Sequence, residues 1–165
     1  MPLVRVYEST DAEAVASVIL PIQREEFGIA VTREGQPDLA DIPNFYQSGA
    51  GNFWVAESDG TIVGTVGLRD IGSKRAALRK MFVSAPYRGR AHGVAQALLD
   101  TLVQWSQAQG LASIYLGTTS NFLAAHRFYE KNGFAEVRES ELPPEFPRMS
   151  VDSKFYSLGV ARSDA

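Results

Sequence analysis

The chain has 165 residues, 45% of them hydrophobic and 21% charged, and this composition predicts one ordinary folded domain rather than a disordered or repetitive chain. Its formal net charge of −3 is not the basic excess that holds nucleic acid, so no nucleic-acid partner is expected. Cysteine is absent, which excludes disulfides, zinc–cysteine centres and a cysteine nucleophile.

Membrane and export signals are also missing from the sequence. No apolar run approaches the roughly 20 residues that a membrane-spanning helix needs, and residues 1–5 do not show the charged-then-apolar pattern of a signal peptide. We therefore expect a cytoplasmic protein with no membrane partner.

The first 50 residues predict a strand followed by helices. Residues 3–8 alternate in polarity as a strand does, and residues 10–13 (Thr-Asp-Ala-Glu) have the spacing of a capping box that opens a helix. Pro21 lacks a backbone donor and clashes with the preceding turn, so this helix should be kinked or broken between Pro21 and Phe27. A second helix is predicted over residues 39–47.

The middle of the chain predicts a hairpin and a third strand. Residues 52–57 and 61–68 are two strand-like runs on either side of Asp59 and Gly60, and Asp-Gly between apolar runs is the strongest short hairpin signal. A polar turn then leads to a third strand, predicted over residues 76–83.

The last third of the chain predicts two helices among short strands. Apolar residues recur at helical spacing over residues 94–109, and the glycine that follows is typical of a helix end. A strand over residues 113–117 precedes a helix capped by Ser120 and ending at Asn132. Two final strands are predicted over residues 134–137 and 153–158. This order of elements predicts a mixed α/β sheet with helices on its faces.

A glycine-containing loop stands directly before the helix predicted from residue 94. The N-terminus of a helix presents unpaired backbone donors and a partial positive charge, which suit phosphate oxygens. Gly93 has no Cβ to block a close approach, and Arg88 and Arg90 can add positive charge. These features favour a pyrophosphate site, although a glycine before a helix is more often a simple turn.

Two ordered blocks of sequence carry a resemblance to a known family. Residues 90–95 (Arg-Ala-His-Gly-Val-Ala), followed by a Leu-Leu pair, resemble the pyrophosphate loop of the GCN5-related N-acetyltransferases (GNAT). Residues 121–134 (Asn-Phe-Leu-Ala-Ala-His-Arg-Phe-Tyr-Glu-Lys-Asn-Gly-Phe) are similar to the family's N-x-x-A-x-x-F-Y-x-K-x-G-F block. The resemblance covers residues 3–158, which are predicted to form one N-acetyltransferase domain.

The resemblance implies a mixed, mostly antiparallel sheet of about seven strands, flanked by helices and containing a splayed parallel strand pair. It implies acetyl-CoA as co-substrate, with the pantetheine arm between the splayed strands. A register of the loop that starts at Arg88 rather than Arg90 stays open, because the approach from the preceding strand is longer than the family's usual one. The residues expected to bind acetyl-CoA are Met81, Phe82, Val83, Arg88, Gly89, Arg90, Ala91, His92, Gly93, Val94, Ala95 and Asn121.

The resemblance further implies that an acceptor amine attacks the thioester directly in a ternary complex. A base must take a proton from the amine, and an acid can assist the leaving thiolate. Tyr129 is the candidate acid on its place in the second block. Ala76 and Ala77 stand where many relatives carry a carboxylate, so the base must come from elsewhere or be a water, and Glu25 and Glu26 are the candidates.

Two functions from other classes compete with this prediction. A nucleotide-binding enzyme should show a G-x-G-x-x-G after the first strand or a Walker lysine, and neither is present. A CoA-sensing module without catalysis stays open, as do the identity of the amine acceptor and the oligomeric state, a homodimer included. No metal site is predicted.

Overall fold

A seven-stranded sheet runs through the computed structural model, which describes residues 2–120, 122–149 and 152–161. The strands in chain order are β1 (Leu3–Val6), β2 (Asn52–Ser58), β3 (Thr61–Gly72), β4 (Arg75–Val83), β5 (Ser113–Thr118), β6 (Ala135–Val137) and β7 (Lys154–Gly159). Their order across the sheet is β1-β2-β3-β4-β5-β7-β6, with β4 and β5 parallel and the other neighbours antiparallel. The mixed, mostly antiparallel sheet expected from the sequence is confirmed.

The β2–β3 hairpin follows the prediction from Asp-Gly. Ser58 pairs with Thr61, and the two residues between them, Asp59 and Gly60, have φ angles of 52° and 80°. Positive φ at both turn residues matches the right-handed twist of the flanking strands. The turn therefore sets the first two pairs of the hairpin, and a bulge then shifts the register between Glu57 and Ala56.

The α-helices that accompany the sheet in the described residues are α1 (Ala12–Pro21), α2 (Pro37–Ala40), α3 (Ile42–Phe45), α4 (Val94–Ala108) and α5 (Leu123–Lys131). Successive side chains of β2 supply both faces of the sheet. Phe53 and Val55 pack with residues of α1 and α3, whereas Trp54 and Ala56 pack with the leucines of α4. In the described ranges, no helix combines the length and the apolar character needed to cross a membrane.

The opening of α1 differs from the capping box predicted over residues 10–13. A single 3₁₀ turn, Ser9–Asp11, precedes the helix, and the Asp11 carboxylate accepts the backbone N–H of Glu8 at 2.8 Å. The same carboxylate accepts two N–H groups of the Arg5 guanidinium, at 2.8 and 2.9 Å. This contact with β1 holds Asp11 in the capping role, so the Thr10 pattern was the wrong choice of cap.

Pro21 interrupts α1, as the sequence predicts. Because proline has no N–H, the chain leaves the α-helical ladder there and continues as one π-helical turn, Ile22–Glu26. The N–H of Phe27 closes this turn on the carbonyl of Ile22 at 3.0 Å.

The single helix predicted over residues 39–47 is instead two short ones. Pro43 cannot donate to the carbonyl of Leu39, so one continuous helix is excluded. The chain breaks at Asp41, with φ −146° and ψ 66°, and the Asp41 side chain accepts the N–H of Asn44 to start α3.

Ser120 does not cap α5. Its backbone N–H donates to the hydroxyl of Ser153 at 2.9 Å, which ties this segment to the approach to β7. The helix begins later, with Phe122 at the cap position.

Candidate active site

The parallel strands β4 and β5 separate after three paired positions. Residues 75–77 pair with residues 113–115, and beyond them no pairing joins β4 and β5 in the described part of the chain. β5 stays in the sheet by pairing with β7 as far as Thr118. The expected splay is therefore confirmed, and it opens a cleft between the carboxyl ends of β4 and β5.

A β-bulge shapes the β4 wall of this cleft. Lys80 has a φ of 54°, and Lys80 and Met81 together stand opposite the single residue Val66 of β3. The hydroxyl of Thr65 donates to the Lys80 carbonyl at 2.8 Å and fixes the bulge. Because the bulge breaks the alternation of side chains, the neighbours Arg79 and Lys80 both line the cleft.

The other walls of the cleft come from distant parts of the chain. The π-helical turn and its exit contribute Gln23 and Phe27, and the ring centroid of Phe27 lies 4.0 Å from that of Phe122, before α5. The segment before β7 contributes Phe146 and Asp152. The cleft is thus apolar in its walls, with a few polar groups converging on it, which is the usual character of a small-molecule site.

Of the residues predicted to hold acetyl-CoA on β4, Met81 and Phe82 line the cleft directly. Phe82 and Val83 pair with β3 on one edge, and their other edge lies where β5 has turned away. An unpaired strand edge presents free backbone donors and acceptors. The amide groups of a pantetheine arm fit this edge.

The predicted pyrophosphate loop connects β4 to α4. Gly89 and Gly93 have φ angles of 103° and 67°, and no atom lies within 4 Å of a Cβ built at either residue. The N–H groups of His92 and Gly93 turn back to the carbonyl of Gly89, and Ala91 lies between them. The space at Gly93, directly before Val94 and Ala95 open α4, fits a phosphate group at a helix N-terminus.

The two arginines of the loop differ in their partners. The Arg88 guanidinium binds both carboxylate oxygens of Glu26, at 2.6 and 2.9 Å, and its Nε donates to the carbonyl of Val83 at 2.7 Å. Arg90 is exposed and has no ion pair with any residue that the structure describes. The structure therefore leaves Arg90 available for an incoming anion.

Asn121, the last residue predicted to bind acetyl-CoA, lies outside the described residues.

Glu25 and Glu26, the candidates for the base, lie on the π-helical turn and are exposed. Neither is among the residues that line the cleft, and Glu26 is held by Arg88. The same turn places Gln23 and Phe27 at the cleft instead.

Tyr129, the candidate acid, lies on α5 and lines the cleft with only 8% of its surface exposed. Its ring packs edge-on against Phe134 at 5.4 Å and lies 6.2 Å from the ring of Tyr156. Burial raises the pKa of Tyr129, so the hydroxyl is protonated at neutral pH. No described residue is hydrogen-bonded to this hydroxyl.

A cluster of buried charges lies behind the cleft, and the sequence analysis did not identify it. The hydroxyl of Tyr46 donates to Asp38 Oδ2 at 2.6 Å, and Lys80 Nζ lies 3.4 Å from the same oxygen. Arg79 donates from Nε to the Tyr46 hydroxyl at 3.2 Å and from Nη1 to the carbonyl of Pro147 at 3.1 Å. Burial lowers the pKa of Lys80, against the opposing attraction of Asp38.

Asp152 is the second missed residue at the cleft. A Cβ placed at Gly117 of β5 would lie 2.6 Å from Asp152 Oδ2, so the carboxylate rests on bare glycine backbone. Its Oδ2 accepts the N–H of Met149 at 3.1 Å. Burial raises the pKa of Asp152, although this hydrogen bond and the charges of Arg79 and Lys80 oppose the rise.

The adjacent charges of Arg79 and Lys80 within an otherwise apolar strand were a readable signal for the bulge, since a regular strand would send them to opposite faces. Asp152 had no such signal, because only the tertiary fold brings it to Gly117.

Comparison with known proteins agrees with this geometry. A sequence model of the Acetyltransferase (GNAT) family matches residues 17–134. A GNAT-family acetyltransferase from Staphylococcus aureus Mu50 superposes with a TM-score of 0.91 at 37% identity, over 97% of this chain and 99% of that one.

Curated relatives share part of the chain. A probable N-acetyltransferase family 8 member 5 from Mus musculus is 40% identical over 104 residues, which are 60% of this chain and 45% of the relative. An N-acetylaspartate synthetase from Xenopus tropicalis is 34% identical over 129 residues, 76% of this chain and 47% of the relative. The chain thus matches about half the length of these relatives. Acetyl-CoA is the co-substrate typical of the matched family. Because the family model matches most of the length of this chain, the chain belongs to the GNAT acetyltransferases.

Proposed function

We propose that this chain transfers an acetyl group from acetyl-CoA to a primary amine of a small molecule or peptide, by direct attack within a ternary complex. The observation that carries the proposal is the cleft at the β4–β5 split. It places an unpaired strand edge beside Tyr129 and Asp152. Residues 3–158 would act as one catalytic domain.

Donor binding rests on two parts of the fold. The free edge of β4 at Met81 and Val83 would accept the hydrogen bonds of the pantetheine arm, and the N-terminus of α4 at Gly93 would receive the pyrophosphate. The loop register that starts at Arg90 is favoured over the one that starts at Arg88, because Arg88 is already paired with Glu26.

Asp152 is a better-placed base than Glu25 or Glu26, since it lines the cleft and they do not. An amine attacks only when neutral, so its ammonium form must first give up a proton, and a carboxylate with a raised pKa is a stronger base than an ordinary one. The new N–C bond then forms as the C–S bond breaks. The carboxylate of Asp152 would take the proton of the ammonium form before the attack, and the nitrogen would release its second proton to solvent as the amide forms. CoA would leave as the thiolate.

Tyr129 would donate a hydrogen bond to the sulfur as negative charge develops there. Its pKa is raised by burial, whereas a thiol has a reference pKa of about 8.5, so complete proton transfer from the phenol to the thiolate is uphill. Tyr129 therefore stabilises the leaving group more than it protonates it.

A non-catalytic CoA-binding module is the alternative, and an acceptor screen separates the two functions. The chain has no cysteine, so a thiol reagent reports only CoA released from acetyl-CoA. The screen should include amino acids, polyamines and a peptide N-terminus, with L-aspartate among the first because an N-acetylaspartate synthetase is a relative.

We expect amine-dependent thiol release together with a product heavier than the acceptor by one acetyl group. A protein that binds acetyl-CoA but releases no thiol with any amine would contradict the proposal and favour the module.

A further inference from the structure

The cleft contains a buried cation that has only one long contact with an anion in the described part of the chain. The side chain of Lys80 is 4% exposed, and its nearest anion is Asp38 Oδ2 at 3.4 Å. None of the hydrogen bonds within the described ranges comes from its ammonium group. A buried ammonium normally has its donors satisfied, because an unpaired one costs far more than a neutral polar group.

Charge balance at this end of the cleft is also incomplete. One carboxylate oxygen, Asp38 Oδ2, serves Lys80 at 3.4 Å, Arg79 at 3.9 Å and the Tyr46 hydroxyl at 2.6 Å. Asp152 forms no ion pair within 4.0 Å with either cation in the part of the chain that the structure describes. Arg79 and Lys80 therefore share one carboxylate at contact distance, and the Asp152 charge acts on them only from farther away. The Lys80 ammonium group thus has room for a closer anion than either carboxylate.

The backbone keeps Lys80 in this position at a cost. A φ of 54° is unfavourable for a residue with a long side chain, and the bond from Thr65 to the Lys80 carbonyl holds it there. Strain retained at a ligand cleft is typical of residues that position a bound group.

We propose that the amine acceptor carries a carboxylate, as a free amino acid does, and that Lys80 and Arg79 bind this carboxylate. The inference rests on the proposed acetyl transfer and narrows its acceptor. Lys80 supplies direct hydrogen bonds, and Arg79, whose Nε and Nη1 are already engaged, adds charge. On the same cleft Asp152 offers the opposite charge to the ammonium end of an amino acid.

Binding tests this inference without requiring turnover. CoA-saturated protein is titrated calorimetrically with N-acetyl-L-aspartate, N-acetyl-L-alanine and N-acetyl-L-leucine, each paired with the amide that replaces its α-carboxylate. We expect at least one acid to bind roughly 10- to 100-fold more tightly than its amide, because a charge-assisted bond to a buried ammonium is lost in the amide.

Lys80→Met should abolish the preference, since it keeps the length and apolar stem of the side chain and removes the charge. Lys74→Met is the matched control, because Lys74 also has a positive φ, 61°, but is exposed in the β3–β4 turn. The control should keep the preference.

Equal binding of acids and amides by the wild type, no binding of any member, or a preference that survives Lys80→Met would each overturn the inference. If Lys80→Met does not fold, the comparison of acids with amides on the wild-type protein still tests whether the site prefers a carboxylate. Acetyl transfer to amines without a carboxylate preference would refute the inference and leave the proposed function intact. A carboxylate preference without thiol release would support a carboxylate site and refute the proposed acetyl transfer.

Discussion

Lys80 is buried and Asp152 is half-buried at the cleft, and desolvation shifts the pKa values of the two side chains in opposite directions. It lowers the pKa of the Lys80 ammonium and raises the pKa of the Asp152 carboxyl. In each case desolvation disfavours the charged form, so neither side chain is placed there to stabilise the fold. Ionisable groups held against a desolvation penalty in a cleft are typical of functional sites.

Asp152→Asn should therefore raise stability while lowering activity. The folded-state pKa of Asp152 is above its reference value of 3.8, so its favourable contribution is complete below about pH 3.8 and is lost as pH rises through the folded pKa. Asparagine stays neutral and can still accept the N–H of Met149. Its melting temperature should exceed that of the wild type at pH 7, and the difference should shrink towards pH 3.

Asp59→Asn, at an exposed turn residue with positive φ, is the control and should show no such trend. Turnover of Asp152→Asn should fall by about 10²- to 10⁴-fold, the usual contribution of a general base. Lower stability than the wild type at pH 7, or unchanged turnover, would contradict the role given to Asp152.

Tyr129→Phe tests the acid. The substitution keeps the ring that packs on Phe134 and removes only the hydroxyl, which bonds to no described residue, so the fold and acetyl-CoA affinity should survive. We expect kcat to fall about 10- to 100-fold, at the low end for an acid, because a thiolate leaves readily. A kcat within about threefold of the wild type would reduce Tyr129 to a packing residue.

At the scale of elements, the proposed donor site has two parts, one on β4 and one on α4. β4 supplies an open edge where β5 departs, and α4 supplies the end of a helix dipole after a loop with two glycines of positive φ. The two parts are consecutive in the chain, joined through residues 84–93. Because of this continuity, one stretch of sequence was enough to predict a donor site there.

Gly93→Val should weaken acetyl-CoA binding through steric exclusion of the pyrophosphate. A valine at positive φ also strains the backbone, so Gly110→Val, at the other end of α4, is the matched control. Gly110 has a φ of 75°, and no atom lies within 4 Å of a Cβ built there, as at Gly93. Both variants should lose similar stability in thermal unfolding, and only Gly93→Val should lose affinity for CoA in calorimetry. Equal CoA affinities would move the phosphate site to another part of the loop.

Elements with strong local signals were predictable, and those decided by distant residues were not. The Asp-Gly hairpin and the leucine pattern of α4 are encoded within a few residues, and both form as predicted. The cap of α1 depends on Arg5, and the start of α5 coincides with a bond to Ser153, so a local pattern could not locate either.

The same distinction divides the site. Tyr129 and the loop were recognisable as parts of contiguous blocks of sequence. Asp152 meets Gly117 only because β5 pairs with β7, and Asp38 reaches Lys80 only because α2 folds against the sheet. The acceptor half of the cleft is assembled from separate segments, which sequence periodicity does not report.

At the scale of the whole molecule, helices cover both faces of one sheet, and a cleft opens where the sheet divides. A ligand that lies between β4 and β5 joins the two halves of the sheet. Such a ligand should stabilise the native state by a free energy that grows with the logarithm of its concentration above the dissociation constant.

Acetyl-CoA should accordingly raise the melting temperature far more than NAD or ATP at equal concentration. At one hundred times its dissociation constant a ligand adds about 2.7 kcal/mol, which for a domain of this size corresponds to roughly 5 to 10 °C. Differential scanning fluorimetry measures the shift directly. The absence of a shift with acetyl-CoA, or an equal shift with ATP, would contradict the donor site.

The most direct test of direct acetyl transfer is a single-turnover measurement with enzyme in excess over acetyl-CoA. Thiol release is followed with and without an amino acid that the acceptor screen selects, and the cysteine-free chain contributes no background. The account predicts no thiol from acetyl-CoA alone and one equivalent of thiol, with one equivalent of N-acetylated product, once the amine is added. A full equivalent of thiol before the amine arrives, with the acetyl group on the protein, would contradict direct attack in a ternary complex.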